Sequence, residues 1–199
     1  VLLGGNIGTP PIEFVEELRP EDLVALELSS FQLQDLDRSP SLGVVLGIHQ
    51  DHLDYHEDLA EYVAAKSSIC AFQESGDQVI FNIDCERARQ IAGLSLARRR
   101  WTFSINQEVE SGSWSDGRRI WLRRPDARAC ELCGVGEIRL RGRHNLANAA
   151  AAVATAAAAG AEEETIVAAL RSFDGLPHRM EEVGLRDGVL YVNDSLATT

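Results

Sequence analysis

Short, nearly uninterrupted apolar runs recur along this chain, separated by stretches of helical periodicity. Residues 23–28 (LVALEL), 42–48 (LGVVLGI) and 78–82 (QVIFN) are apolar at most successive positions. A strand with one wet face alternates polar and apolar, whereas a strand apolar throughout has to be covered on both faces. Alternation of such strands with helices indicates a mostly parallel sheet flanked by helices, an α/β fold. In open parallel sheets, ligands sit beyond the carboxyl ends of the strands. Asn6, Glu27 and His52 lie at or just after three such ends.

The remaining segments follow the same alternation at first. Residues 1–3 read as the end of a buried strand and 4–8 (GGNIG) as a tight turn. Thr9, before Pro10 and Pro11, is a plausible cap for a helix reaching about Leu18. Residues 84–92 are expected to be helical and 100–103 to form a strand. From Ser111 the texture changes to short segments broken by Gly and Pro: RRIWLRR, ARACELC and GEIRLRG. These predict an antiparallel β excursion on one edge of the domain. Helices are expected over 144–159, stopped by Gly160, and over 162–173, acidic in its first turn as the helix dipole favours. Gly175, Leu176 and Pro177 read as a linker. The strand-like MEEVGL and VLYVND beyond it would open a second unit.

The formal net charge of −12 over 199 residues argues against a nucleic-acid or anionic-membrane surface. No apolar run approaches the roughly 18 residues that a membrane helix needs. The Ala-rich stretch 147–159 is shorter and holds Asn148 and Thr155. Residues 1–6 (VLLGGN) lack the basic start of a signal peptide. Of four cysteines only Cys130 and Cys133 form a C-x-x-C, and no second pair or nearby His completes a zinc set. Reduced thiols and a cytoplasmic protein are the expectation.

One helix carries an anomaly. From about Glu57, residues Leu59, Tyr62, Val63, Lys66, Ile69 and Cys70 share one face. Lys66, the single lysine of the chain, interrupts a stripe that should face the core. Two readings stay open. Its stem packs while the ammonium reaches water, or burial lowers its pKa and frees a neutral amine, which can take up carbon dioxide to give a metal-binding carbamate.

Seven collinear segments carry a resemblance: GGNIG at 4–8, LELSSFQL at 26–33, DHLDYH at 51–56, YVAAK at 62–66, GRHNLANAAAA at 142–152, GLPHRMEEV at 175–183 and VNDSLATT at 192–199. In this order the chain resembles the Mur ligase family, and within it the branch that adds D-glutamate to UDP-N-acetylmuramoyl-L-alanine. The resemblance implies an ATP-dependent amide ligase of peptidoglycan synthesis, working with Mg2+ through an acyl phosphate, as a monomer. It implies that Glu27 coordinates one Mg2+, and that His52 and a carbamylated Lys66 hold a second. It places Asn6 and Ser29 near the muramoyl substrate. It puts Asn145, Asn148, His178, Arg179 and Asp194 on the nucleotide. Residues 1–174 would be a central ATP-binding domain, and 175–199 a linker with the beginning of a C-terminal, Rossmann-like ligase domain.

Read from the residues alone, Asn145 is an ordinary helix cap and Asp194 a turn carboxylate. Two departures stand out. No G-x-x-G-K-[ST] phosphate loop occurs. By the resemblance that loop and a uridine-nucleotide domain would precede Val1, most of a D-glutamate domain would follow Thr199, and these 199 residues alone would be inactive. Leu196 stands where the family motif D-S-K-A-T has a lysine. Losing such a charged hydrogen bond costs about 1.5–3 kcal/mol. A non-catalytic binding module on the same scaffold, or a ligase of the folate-polyglutamylating branch, are the alternatives.

Overall fold

The structure is a computed structural model and describes residues 1–6, 9–48 and 58–195. In chain order it comprises β1 (Leu2–Gly5), β2 (Val24–Glu27), α1 (Ser30–Gln34), β3 (Leu42–Val45), α2 (Leu59–Ala71), β4 (Gln78–Asn82) and α3 (Glu86–Ala92). There follow β5 (Arg99–Ser104), β6 (Gly112–Ser115), β7 (Arg119–Arg123), β8 (Cys130–Gly134), α4 (Arg143–Ala158), α5 (Glu163–Ser172), β9 (Glu181–Arg186) and β10 (Val189–Asn193).

Strands β3 to β8 form one six-stranded sheet in chain order. The β3–β4, β4–β5 and β5–β6 ladders are parallel, and β6–β7 and β7–β8 antiparallel. The expectation of a mostly parallel sheet with an antiparallel excursion at one edge therefore holds. Strand β4 shows why its sequence reads as unbroken apolar. Val79 and Phe81 enter the core under α2 and α3, with Tyr62, Cys70, Ala88 and Ile91. Ile80, on the opposite face, enters the core under α4 and α5, with Trp101, Phe103, Ile120, Leu122 and Val153. Full burial of one such aliphatic side chain contributes about 1.5–3 kcal/mol. The alanines of α4 let the helix lie close to the sheet, and the Ser113 hydroxyl donates to the Ala150 carbonyl across that contact.

The β5–β6 connection is unusual, because parallel neighbours normally need a crossover of a dozen residues or more. Here the chain leaves β5 at Ser104 and re-enters beside Thr102 at Gly112. The Asp84 carboxylate anchors the reversal, accepting from the Ser104 hydroxyl (2.8 Å) and the Ile105 N–H (2.9 Å). The Ser104 hydroxyl in turn accepts from the N–H groups of Asn106 and Gln107. Gly112, at φ +130°, has no room for a side chain, since a Cβ would lie 1.8 Å from the Thr102 carbonyl oxygen.

Several expectations need correction. The strands at β1 and β2 exist, but they pair with each other as a separate parallel ladder and are not buried; Leu3 is 71% exposed. Buried Phe14 packs beside Gly4, while Leu3, Leu23 and Leu26 stay exposed. Thr9 caps no helix. Two 3-10 turns, Pro11–Glu13 and Val15–Glu17, are separated by Phe14 at φ −125°, outside the helical range. The segment GEIRLRG is not a strand. Glu137 accepts from the Gly134 N–H (2.7 Å) and pairs with Arg171 of α5, which winds Val135–Glu137 into a 3-10 turn. Helix α1 was not expected at all. The last two strand-like segments do form strands, an antiparallel hairpin turned at Asp187 and Gly188, both with positive φ as a tight hairpin turn requires.

Gln73 holds the end of α2 to the sheet. It is 1% exposed, and its amide nitrogen donates to the carbonyls of Pro40 (2.9 Å) and Gln78 (2.8 Å). Its amide oxygen accepts from the Ser95 hydroxyl (2.6 Å). Gln73→Leu strands two carbonyls and a hydroxyl in the interior and is expected to cost about 2–4 kcal/mol, read as a lower urea midpoint at unchanged slope.

Candidate functional site

The sequence-predicted residues fall into two regions. The first lies at the carboxyl ends of β1 and β2. Parallel pairing sets Gly5 beside Glu27, and the Asn6 N–H donates to the Glu27 carbonyl (2.8 Å). Gly5 makes this approach possible. Its φ is +114°, and a Cβ would sit 2.1 Å from the Glu27 carbonyl oxygen. The side chains of Asn6 and Glu27 are both exposed. Immediately downstream, Ser29 caps α1 through a reciprocal capping box. Its hydroxyl accepts from the Gln32 N–H (3.3 Å), and its own N–H donates to the Gln32 side-chain oxygen (3.0 Å). Serine followed three residues later by glutamine is the sequence signal that would have located this helix.

Lys66 lies on α2, which Asp58 caps by accepting from the Glu61 N–H (2.9 Å). The apolar stripe is real: Tyr62 and Cys70 are buried, and Leu59, Val63 and Ile69 pack against the same core. Lys66 on that stripe is half-buried, with Nζ 5.1 Å from the centre of the Tyr62 ring, within cation–π range. His52 and Leu196 lie outside the described residues. Of the expected metal-binding set, Glu27 and Lys66 are therefore described and His52 is not. Among the described residues no group of three or more His, Cys, Asp or Glu side chains is placed to hold a metal.

The second region is a cleft of about 980 Å3 between the start of α4 and the linker that leads into β9. Glycine 142, not Asn145, occupies the cap position of α4. Asn145 lies in the first turn, buried, with its amide nitrogen donating to the Arg141 carbonyl (2.8 Å) and its amide oxygen accepting from Asn148 (3.4 Å). Asn145 and Arg179 both line the cleft. Asn148, His178 and Asp194 do not. The His178 ring nitrogen Nδ1 meets the Asn193 amide (2.8 Å), and the His178 backbone N–H donates to the Glu181 carboxylate (2.8 Å). Asp194 accepts from the Met180 N–H (3.0 Å), so this carboxylate ties the hairpin to the linker.

Sequence reasoning missed Arg139 and Arg141, which share the cleft with Arg143 and Arg179. The alternation RLRGR just before an Asn-bearing helix was the available signal. Glu137, on the same rim, has its carboxyl held below the usual range, first by the hydrogen bond from the Gly134 N–H and then by Arg171. The cleft brings four guanidinium groups, Arg139, Arg141, Arg143 and Arg179, together with four carboxylates, Glu137, Asp174, Glu181 and Glu182, beside the buried Asn145 amide.

The C-x-x-C builds no site. A bulge in the β7–β8 ladder turns Cys130 and Cys133 toward the same core, and all four cysteines are free. Burial raises the pKa of both thiols, and pushes that of Cys70 up to about 12.

A family model described as the Mur ligase middle domain matches residues 9–156. The chain belongs to the Mur ligase family. Curated relatives include the UDP-N-acetylmuramoylalanine--D-glutamate ligases of Clostridium kluyveri, 36% identical over 197 residues, and Pelotomaculum thermopropionicum, 41% identical over 198. Each alignment takes in 99% of this chain but only 42% and 43% of the relative, so the chain spans less than half the length of these Mur ligases. Among solved structures, MurF from Acinetobacter baumannii shares the fold, with a TM-score of 0.68 at 20% identity over 92% of this chain and 41% of that one.

The Gly5 geometry is open to a direct check. Gly5→Ala combines a strained φ with a backbone clash and is expected to cost about 1–3 kcal/mol or more. Amide exchange should locate the damage, with the Asn6 N–H losing protection before the amides of β4.

Proposed function

We propose that this Mur ligase chain serves the joining of D-glutamate to UDP-N-acetylmuramoyl-L-alanine in peptidoglycan synthesis, with its cleft at α4 holding ATP. Residues 1–174 act as the ATP-binding domain, and residues 175–199 as the linker and opening of the next. The carrying observation is that buried Asn145 and exposed Arg179 meet on a cleft large enough for a nucleotide. The names of relatives 34–41% identical over nearly the whole chain support the choice of acceptor and amino acid.

In this reading the terminal phosphoryl group of ATP passes to the carboxylate of the alanyl substrate. The amine of D-glutamate then attacks the acyl carbon and phosphate leaves. Asn145 reads the adenine edge, aided by Asn148, and Arg179 stacks on or pairs with the nucleotide. His178 and Asp194 shape the linker around it. Asn6 faces the muramoyl substrate. Ser29 contributes through α1, since its hydroxyl is engaged in the capping box. Glu27 and His52, with Lys66 as its carbamate, are the residues that would hold Mg2+, which when bound offsets repulsion between phosphate and carboxylate oxygens. The half-buried setting of Lys66 against Tyr62 is compatible with that chemistry. The protein works in the cytoplasm as a monomer.

The test uses the chain together with whatever flanks it in its reading frame. Phosphate release is expected to require ATP, Mg2+, the muramoyl-alanine nucleotide and D-glutamate together. Lys66→Ala should lower kcat by about 100-fold or more, as removal of one group that stabilises transition-state charge does. Turnover untouched by Lys66→Ala would refute the metal assignment. A preference for another amino acid would move the protein to a sister branch. Leu196 favours one second reading, a module that binds nucleotide without turning it over. It predicts ADP binding with no phosphate release, and a gain in rate from Leu196→Lys.

A further inference from the structure

The cleft has two walls, joined by ion pairs. Arg139 and Arg141 stand just before α4, Asp174 follows the end of α5, and Glu182 belongs to β9. Arg139 pairs with Asp174, and the Nε of Arg141 pairs with Glu182. Side-chain exposure is 66% at Arg141 and 41% at Glu182, so the pair is screened by solvent and weak. An arriving anion can compete for a guanidinium held so weakly. Arg141 is also the residue whose carbonyl accepts from the buried Asn145 amide, which fixes its backbone within the cleft. Within the hairpin and the segment before it, Asp194 accepts from the Met180 N–H and Asn193 meets His178. Strands β9 and β10 pair with each other while Val183 stays 66% and Leu185 72% exposed.

We propose that Arg141 is a phosphate-binding residue of the cleft whose guanidinium is shared between Glu182 and the ligand, so that nucleotide binding loosens the β9–β10 hairpin. This rests on the nucleotide reading of the cleft and deepens it. In the empty cleft the carboxylate of Glu182 holds the cation in place and masks it. When polyphosphate enters, Arg141 turns from Glu182 to a phosphate oxygen, for which its planar fork is suited. By reciprocity, whatever frees Arg141 from Glu182 strengthens ligand binding.

The experiment measures ADP and inorganic tripolyphosphate binding by calorimetry in the full chain, with amide exchange of the hairpin followed in parallel. E182Q should tighten ADP by about threefold and R141Q weaken it several-fold, the span expected of an exposed ion pair. R141Q should weaken tripolyphosphate by the same factor as ADP, because the contact is with phosphate. ADP should speed exchange of the β9 amides in the native chain and leave it unchanged in R141Q. R128Q, an exposed arginine away from the cleft, should alter none of these. Equal-signed shifts from E182Q and R141Q, or ADP binding with hairpin exchange unmoved, would overturn the proposal while leaving the nucleotide reading intact. Absence of any ADP binding by the native chain together with the segments that flank it in its reading frame would overturn both.

Discussion

The covering of β4 on both faces is the constraint from which the rest of the architecture follows. Val79 and Phe81 need one helical layer and Ile80 needs another, so α2 and α3 must lie on one side of the sheet and α4 on the other. A helix that has to run close over Trp101 and Phe103 cannot carry large side chains on its contact face. The alanines at 149, 150, 151, 154 and 157 answer that steric demand. Once α4 is fixed along the sheet its first turn has one place to go, and that place is the rim of the cleft. The position of Asn145 is thus a consequence of core packing several turns away.

The two candidate regions differ in how firmly the fold holds them. The cleft at α4 is built on a helix whose inner face is buried from Ala149 to Ala157, and its key amide is itself buried. The carboxyl ends of β1 and β2 depend on a two-stranded ladder, which lacks the stability of a larger sheet. Exposed Leu3, Leu23 and Leu26 show that this ladder retains apolar surface that could be covered by another layer. The described residues thus place one site on a buried helix and the other on a two-stranded ladder.

What the sequence made legible was whatever depended on burial. The doubly apolar β4, the helices at α3, α4 and α5, and the stripe on α2 all follow from side chains that must leave water. What it concealed depended on individual polar bonds. Thr9 and two prolines look like a helix start, but Phe14 leaves the helical range and the segment breaks into two turns. GEIRLRG alternates like a strand, yet one carboxylate, Glu137, bonds back to Gly134 and bends it. The parallel arrival of β6 was equally hidden, because it rests on Asp84 reaching across to Ser104 and Ile105. Among the candidate residues, Asn145 and Arg179 were named by motif and both line the cleft. The arginine pair at 139 and 141 emerges only when the linker folds back against it.

Charge type sharpens the argument about Lys66. The chain has 19 basic residues and all but Lys66 are arginine. A guanidinium keeps its proton at any physiological pH, so arginine can pair with carboxylates and phosphates but cannot offer a neutral nitrogen to carbon dioxide. The cleft draws its cations from arginine alone, set among the carboxylates of Glu137, Asp174, Glu181 and Glu182. The one side-chain amine of the chain sits elsewhere, half-buried on an apolar helix face over the Tyr62 ring. Carbamate formation needs an amine that can shed its proton, and no arginine in this molecule could substitute for Lys66 in that chemistry.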